Sequence, residues 1–104
     1  MQELKRGFDS YDNSAPPGVV SFYATWCSDC RRFVPTLEQV KTQMGDRIKV
    51  VKVDSDRYAK VGTEYGVQAL PTTLIFIGGE LASRIKGGIE APKLIDHIHK
   101  AINS

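Results

Sequence analysis

Along the chain, short unbroken runs of apolar residues alternate with stretches whose apolar positions recur every three or four residues. Leu4, Phe8 and Tyr11 share one helical face and predict a short N-terminal helix. A loop over 13–18 contains Pro16-Pro17. Residues 19–25, apolar except for Ser21 and Thr25, read as a buried strand. Phe33, Leu37, Val40 and Met44 then line one face of a helix over 28–44, with Gly45 as its stop signal. Pro35 is expected to kink this helix, because its ring removes a backbone donor and crowds the preceding turn. Residues 47–54 form a second strand, apolar enough to be central. Tyr58, Val61, Gly62 and Tyr65 mark a short helix that stops at Gly66. Residues 72–77 and 81–85 flank Gly78-Gly79, the pattern of a β-hairpin. After Gly87-Gly88, the residues Leu94, Ile95, Ile98 and Ile102 form the apolar face of a last helix. The order α-β-α-β-α-β-β-α predicts an α/β fold, with a central mixed four-stranded sheet and helices on both faces.

Composition narrows the class. With 104 residues, 41% of them hydrophobic and 25% charged, one soluble domain over 1–104 is expected. A net charge of +2 and no basic block beyond Arg31-Arg32 argue against a nucleic-acid partner. No apolar run reaches the roughly 18 residues of a membrane span. The first residues lack the apolar stretch of a secretory signal, so the expected location is cytoplasmic.

The chain has two cysteines, Cys27 and Cys30, in Trp26-Cys27-Ser28-Asp29-Cys30. A structural disulfide stabilises more when it closes a longer loop, and this one would enclose two residues. Two thiols are too few for a structural zinc site, which takes four ligands. Redox chemistry is therefore favoured, with no cofactor and no metal called for. The pair lies where a predicted strand passes into a predicted helix. Unpaired N–H groups and the helix dipole stabilise a thiolate there, and the thiolate is the nucleophile. Cys27, ahead of the helix, is the candidate attacking group. Cys30, one turn further in, would resolve the mixed disulfide. Two other readings stay open: a pair of cysteines that only pack, and a metal or iron–sulfur site shared between two chains.

Beyond the dithiol, five stretches resemble the thioredoxin family: Phe22-Tyr23-Ala24-Thr25-Trp26-Cys27, Lys52-Val53-Asp54, Gly66 to Thr72, Phe76-Ile77-Gly78-Gly79-Glu80, and Gly87. The resemblance implies a thioredoxin fold and reversible dithiol–disulfide exchange with disulfide-containing proteins. An external, thioredoxin-reductase-like protein would regenerate the dithiol. It also implies that Pro71 is a cis-proline facing the dithiol, and that Leu70 presents its backbone to an extended substrate. Trp26 would contact substrate, and Gly87 would allow close backbone approach. A trans Pro71 opening a strand and a Gly87 that merely ends one are the simpler readings. A redox-sensitive binding module with the same fold and little turnover is the alternative function.

Three features depart from the family pattern. Ser28-Asp29 stands where Gly-Pro is usual. Ser28 is a candidate helix cap, and Asp29 suits the helix's first turn while its charge opposes a nearby thiolate. Ser21 occupies the position where the family usually buries an aspartate beneath the dithiol, and a hydroxyl is no general base. Asp29, or water held by Ser21 and Lys52, is the expected substitute in proton transfer to Cys30. Finally, residues 1–3 look too short for the family's N-terminal edge strand. That strand is expected to be absent, leaving a sheet edge through which a homodimer could form, although a monomer is expected. His97 and His99 lie roughly 160–200° apart around the last helix and read as surface residues. Tyr23, Tyr58 and Tyr65 are expected to pack.

Overall fold

The computed structural model describes residues 2–3 and 16–104. The helix expected from Leu4, Phe8 and Tyr11 lies outside the described residues, as do residues 13–15 of the expected 13–18 loop. The described chain runs β1 (Gln2–Glu3), β2 (Gly18–Tyr23), α1 (Ser28–Met44), β3 (Lys49–Asp54), α2 (Ala59–Glu64), β4 (Thr72–Ile77), β5 (Glu80–Lys86) and α3 (Ala91–Ile102). The sheet order is β1-β3-β2-β4-β5. β1, β3 and β2 are parallel to one another, and β2-β4-β5 is antiparallel. The expected four-stranded mixed sheet is thus present, as β3-β2-β4-β5. The expected loss of the edge strand is corrected. Gln2 and Glu3 pair with Val51 and Lys52 of β3. Two residues are enough because β3 is already held along its other side by β2.

Helices cover both faces of this sheet. On one face, Val19, Val50 and Ile75 meet Phe33, Leu37 and Val40 of α1 and Leu94 and Ile98 of α3. On the other, Val20, Phe22, Val51, Val53, Leu74 and Phe76 are covered by Val61 of α2 with Tyr58, Tyr65 and Val67. A strand buried on both sides has no solvent face for polar residues, which is why β2 and β4 are mostly apolar, with Ser21, Thr72 and Thr73 as their buried polar residues. Each fully buried Val, Leu or Ile contributes about 1.5–3 kcal/mol relative to exposure.

The boundaries differ from the sequence reading for local reasons. β2 ends at Tyr23, not 25, because the Cys27 N–H donates to the Ala24 carbonyl (3.1 Å) and closes a turn into α1. β3 begins at Lys49, not 47, because Gly45–Arg47 form a 3₁₀ turn. Lys41 Nζ ties that turn by donating to the carbonyls of Gly45 (2.8 Å) and Ile48 (3.0 Å). α1 runs unbroken through Pro35, which is exposed and leaves the Arg31 carbonyl without its helical donor. The hairpin turn is made by Gly78 and Gly79 with φ of 59° and 81°, the positive values a two-residue turn demands.

Candidate active site

The β2–α1 turn delivers both cysteines to one point at the C-terminal end of the central strand. They form a disulfide with Cα atoms 5.3 Å apart. Cys27 occupies the helix N-cap, with extended backbone (φ −87°, ψ 108°), and its Sγ accepts the Cys30 N–H at 3.2 Å. The sulfur therefore takes the place of a capping oxygen. This corrects the expectation that Ser28 caps α1: Ser28 is already the first helical residue and exposed. An N–H aimed at Cys27 Sγ, reinforced by the helix dipole, favours negative charge on that sulfur once the disulfide is opened.

The two sulfurs face different surroundings. Cys27 (8% exposed) opens onto a groove of about 550 Å³ between the dithiol turn, α2 and the segment before Pro71, with Trp26, Asp56, Gln68 and Leu70 among its walls. Cys30 (4% exposed) borders a smaller cavity of about 300 Å³, shared with Tyr23, Arg31, Val34 and Lys52. Lys52 Nζ lies 4.6 Å from the Tyr23 ring centroid, a cation–π contact that holds the ammonium beside this cavity. Arg31 Nη1 donates to the Thr25 carbonyl at 3.4 Å. Among the described residues, the side of the dithiol at Cys30 is thus lined by two cations and no carboxylate.

Asp29 lies on the Cys27 side, among the walls of the larger groove. Its carboxylate pairs with Arg32, one helical turn on, and both side chains are exposed. Ser21 is buried on β2, opposite Lys52 of β3 and Thr73 of β4. The Leu70–Pro71 peptide bond is cis, and Leu70 packs against Cys27 and Cys30. Gly87 has φ 77°, and its N–H donates to the Pro71 carbonyl at 2.7 Å. A Cβ built there would meet nothing within 4 Å. Within the chain itself, Gly87 is not placed by crowding. It supplies the positive φ that ends β5 and aims its N–H at the proline segment.

Trp26 is 67% exposed, more than a partly buried aromatic, and its Nε1–H donates to Asp56 Oδ2 at 2.9 Å. The sequence reading missed Asp56. It could have been flagged as a carboxylate just past the end of a central strand, where α/β folds place ligand contacts. Asp54 Oδ1 accepts from the N–H groups of Asp56 (3.0 Å) and Arg57 (3.4 Å) and so fixes the turn that carries it. His97 and His99 are both exposed on α3. Tyr58 and Tyr65 pack on the α2 face, and Tyr23 packs beside the dithiol.

A mixed sheet between two helical layers, with a CxxC disulfide at the N-terminus of the helix that follows the central strand and a cis-proline segment against it, defines the thioredoxin fold. The family model described as thioredoxin matches residues 2–100, and the chain belongs to the thioredoxin family. It is 40% identical to the chloroplastic thioredoxin Y of Oryza sativa subsp. japonica, over 98% of this chain and 63% of that protein. It is 41% identical to a thioredoxin-like protein of Synechocystis, over 82% of this chain and 81% of the relative. The chain thus spans a little over three-fifths of the length of the rice protein. Among solved structures, chloroplastic thioredoxin z superposes with a TM-score of 0.79 at 31% identity, covering 88% of this chain and 82% of that one. Fasciola hepatica thioredoxin gives 0.77 at 29% identity, over 86% and 84%.

Proposed function

We propose that the protein is a thiol–disulfide oxidoreductase that reduces disulfides in proteins. The observation that carries this reading is the placement of Cys27 Sγ at the N-cap of α1, accepting the Cys30 N–H and opening onto the groove walled by Trp26 and Leu70. The Cys27 thiolate attacks one sulfur of the substrate disulfide, and the other sulfur leaves as a thiolate that is then protonated. Cys30 loses its proton, attacks Cys27 Sγ in the mixed disulfide and expels the second substrate thiolate. The protein is left oxidised at Cys27–Cys30. A separate dithiol reductase returns two electrons and two protons.

Substrate contacts fall to the groove. The extended segment around the target cysteine lies along Leu70–Pro71, and Trp26 supplies an exposed aromatic face. Gly87 supports the Pro71 backbone from behind. A monomer working in a reducing compartment fits this cycle, and the cytoplasm is the proposed location. Cell fractionation with immunoblotting separates that from an organelle such as the chloroplast named for the rice relative. Enzyme and redox-sensitive binding module are told apart by insulin reduction driven by a small dithiol. Turnover above the dithiol alone, lost in Cys27→Ser, supports the enzyme. Accumulation of a mixed disulfide in Cys30→Ser supports the order of attack. Binding without turnover would replace the enzyme by the binding module.

A further inference from the structure

Beneath the dithiol, four side chains stand in one row across the sheet. Strand register aligns Lys52 of β3 with Ser21 of β2, Ser21 with Thr73 of β4, and Thr73 with Ile85 of β5. Alternation puts all four on the α1 face, since Val50, Val19 and Ile75, two residues away on their strands, belong to that core. The ends of the row are tied to the first turns of α1. Lys52 borders the cavity that Cys30 and Val34 also line, and Ile85 joins the core cluster of Phe33. The middle pair, Ser21 and Thr73, therefore lies under the helical turn whose buried side chains are Cys30 and Phe33. Ser21 is 2% exposed and Thr73 0%.

Thr73 Oγ1 is fully buried and has no hydrogen-bond partner among the described residues. Its neighbour Thr72 is different, because its hydroxyl donates to the Ala69 carbonyl. An orphaned buried hydroxyl is rare and costly. Here it occurs in the disulfide form, on the strand row that runs beneath the first turns of α1. A disulfide sulfur is a weak acceptor, whereas a thiolate is a strong one.

We propose that the Thr73 hydroxyl, with Ser21 beside it, is a hydrogen-bonding group held for the Cys30 sulfur, unpartnered in the disulfide and engaged when Cys30 is reduced. The pair acts through position, not as a base. During resolution the Cys30 proton leaves to solvent through the cavity beside Lys52 and Arg31, whose cations favour the sulfur's negative charge. Asp29, the nearby carboxylate, is paired with Arg32. The hydroxyls then donate to the thiolate as it attacks Cys27. In redox terms the unpaired hydroxyl penalises the oxidised form, and pairing with Cys30, by accepting the S–H of the thiol or donating to the thiolate, favours the reduced one. Thr73 thus makes the couple more oxidising than an apolar residue of the same shape would.

This inference rests on the redox role proposed for Cys27–Cys30, and its test is chosen to need no protein substrate. The Cys27–Cys30 couple is equilibrated with reduced and oxidised glutathione. Two glutathione thiols supply the electrons and protons, and the product is one glutathione disulfide. Thr73→Val, which keeps the shape, is expected to shift the equilibrium about tenfold toward the disulfide, equivalent to about 30 mV. Thr73→Ala should shift it the same way and serves if the valine variant folds poorly. Thr73→Ser should restore it to within about threefold of wild type, and Ser21→Ala should add little once Thr73 is valine. An equilibrium unchanged within twofold in Thr73→Val, or moved toward the dithiol, overturns the proposal. So does a failed rescue by serine. Loss of insulin reduction with these shifts intact would count against the proposed enzyme activity and not against the hydroxyl pair.

Discussion

Removing the Asp56 carboxylate tests whether a held indole matters to substrate binding. Trp26 is the chain's single tryptophan, largely exposed, and its one polar tie is the 2.9 Å hydrogen bond to Asp56 Oδ2. A hydrogen bond to a charged group is worth about 1.5–3 kcal/mol, but both partners here are in water's reach, so about 1 kcal/mol is expected. That corresponds to a roughly fivefold change in how often the indole is held in the groove wall. Asp56→Ala should therefore raise KM for a disulfide-bonded protein substrate up to about fivefold, with kcat little changed, because the cysteines and α1 are untouched. Asp56→Asn keeps an acceptor oxygen and should stay within about twofold. Stability should move by no more than about 0.5 kcal/mol, as for exposed substitutions in general. The assay is insulin reduction over a range of substrate concentrations, with urea unfolding followed by tryptophan emission as the control. An unchanged kcat/KM in Asp56→Ala, or a loss matched by an equal loss of stability, would refute the reasoning.

Asp29→Asn should leave the pH–rate profile of disulfide reduction in place and the rate within about twofold, because the carboxylate faces Arg32 on the exposed side of α1; a profile that moves would return Asp29 to proton transfer. Gly87→Ala should cost about 1–2 kcal/mol in urea unfolding from the positive φ alone, since its Cβ would enter open space, and should slow reduction by loosening the Gly87–Pro71 hydrogen bond. Leu94→Ala, at a fully buried site between α3 and the sheet, should cost about 2–5 kcal/mol and lower the melting temperature by about 10 °C or more, with the activity of the folded fraction retained.

The departures nearest the chemistry share one physical consequence. With Ser21 in place of a buried carboxylate and Asp29 paired with Arg32, hydroxyls and cations line the Cys30 side of the dithiol, and no carboxylate does among the described residues. Hydrogen bonding and charge can favour a thiolate, but a hydroxyl is no general base. Loss of the Cys30 proton to solvent, the route proposed above, predicts that the pH dependence of resolution follows the thiol alone.

Much of this protein was legible from residue order. Apolar stretches placed the four main strands, and period-3.6 patterns placed α1, α2 and α3, because both signals depend only on residues close together in the chain. Gly78-Gly79 marked the hairpin for an equally local reason: the turn needs positive φ at both positions. The CxxC pair and its place before a helix marked the chemistry, since three residues of separation and one helix terminus are enough to bring the sulfurs together. Tertiary structure alone decided the rest. Trp26 meets Asp56 across 30 residues, and Gly87 meets Pro71 across 16. Thr73 comes to lie beside Ser21 only through the register of β4 on β2. Such contacts are set by how strands are ordered and slid against one another, and the packing of both faces of the sheet fixes that order. No local spacing encodes it, so the dithiol could be read from the chain while the residues that aim, hold and donate to it became visible only in the fold.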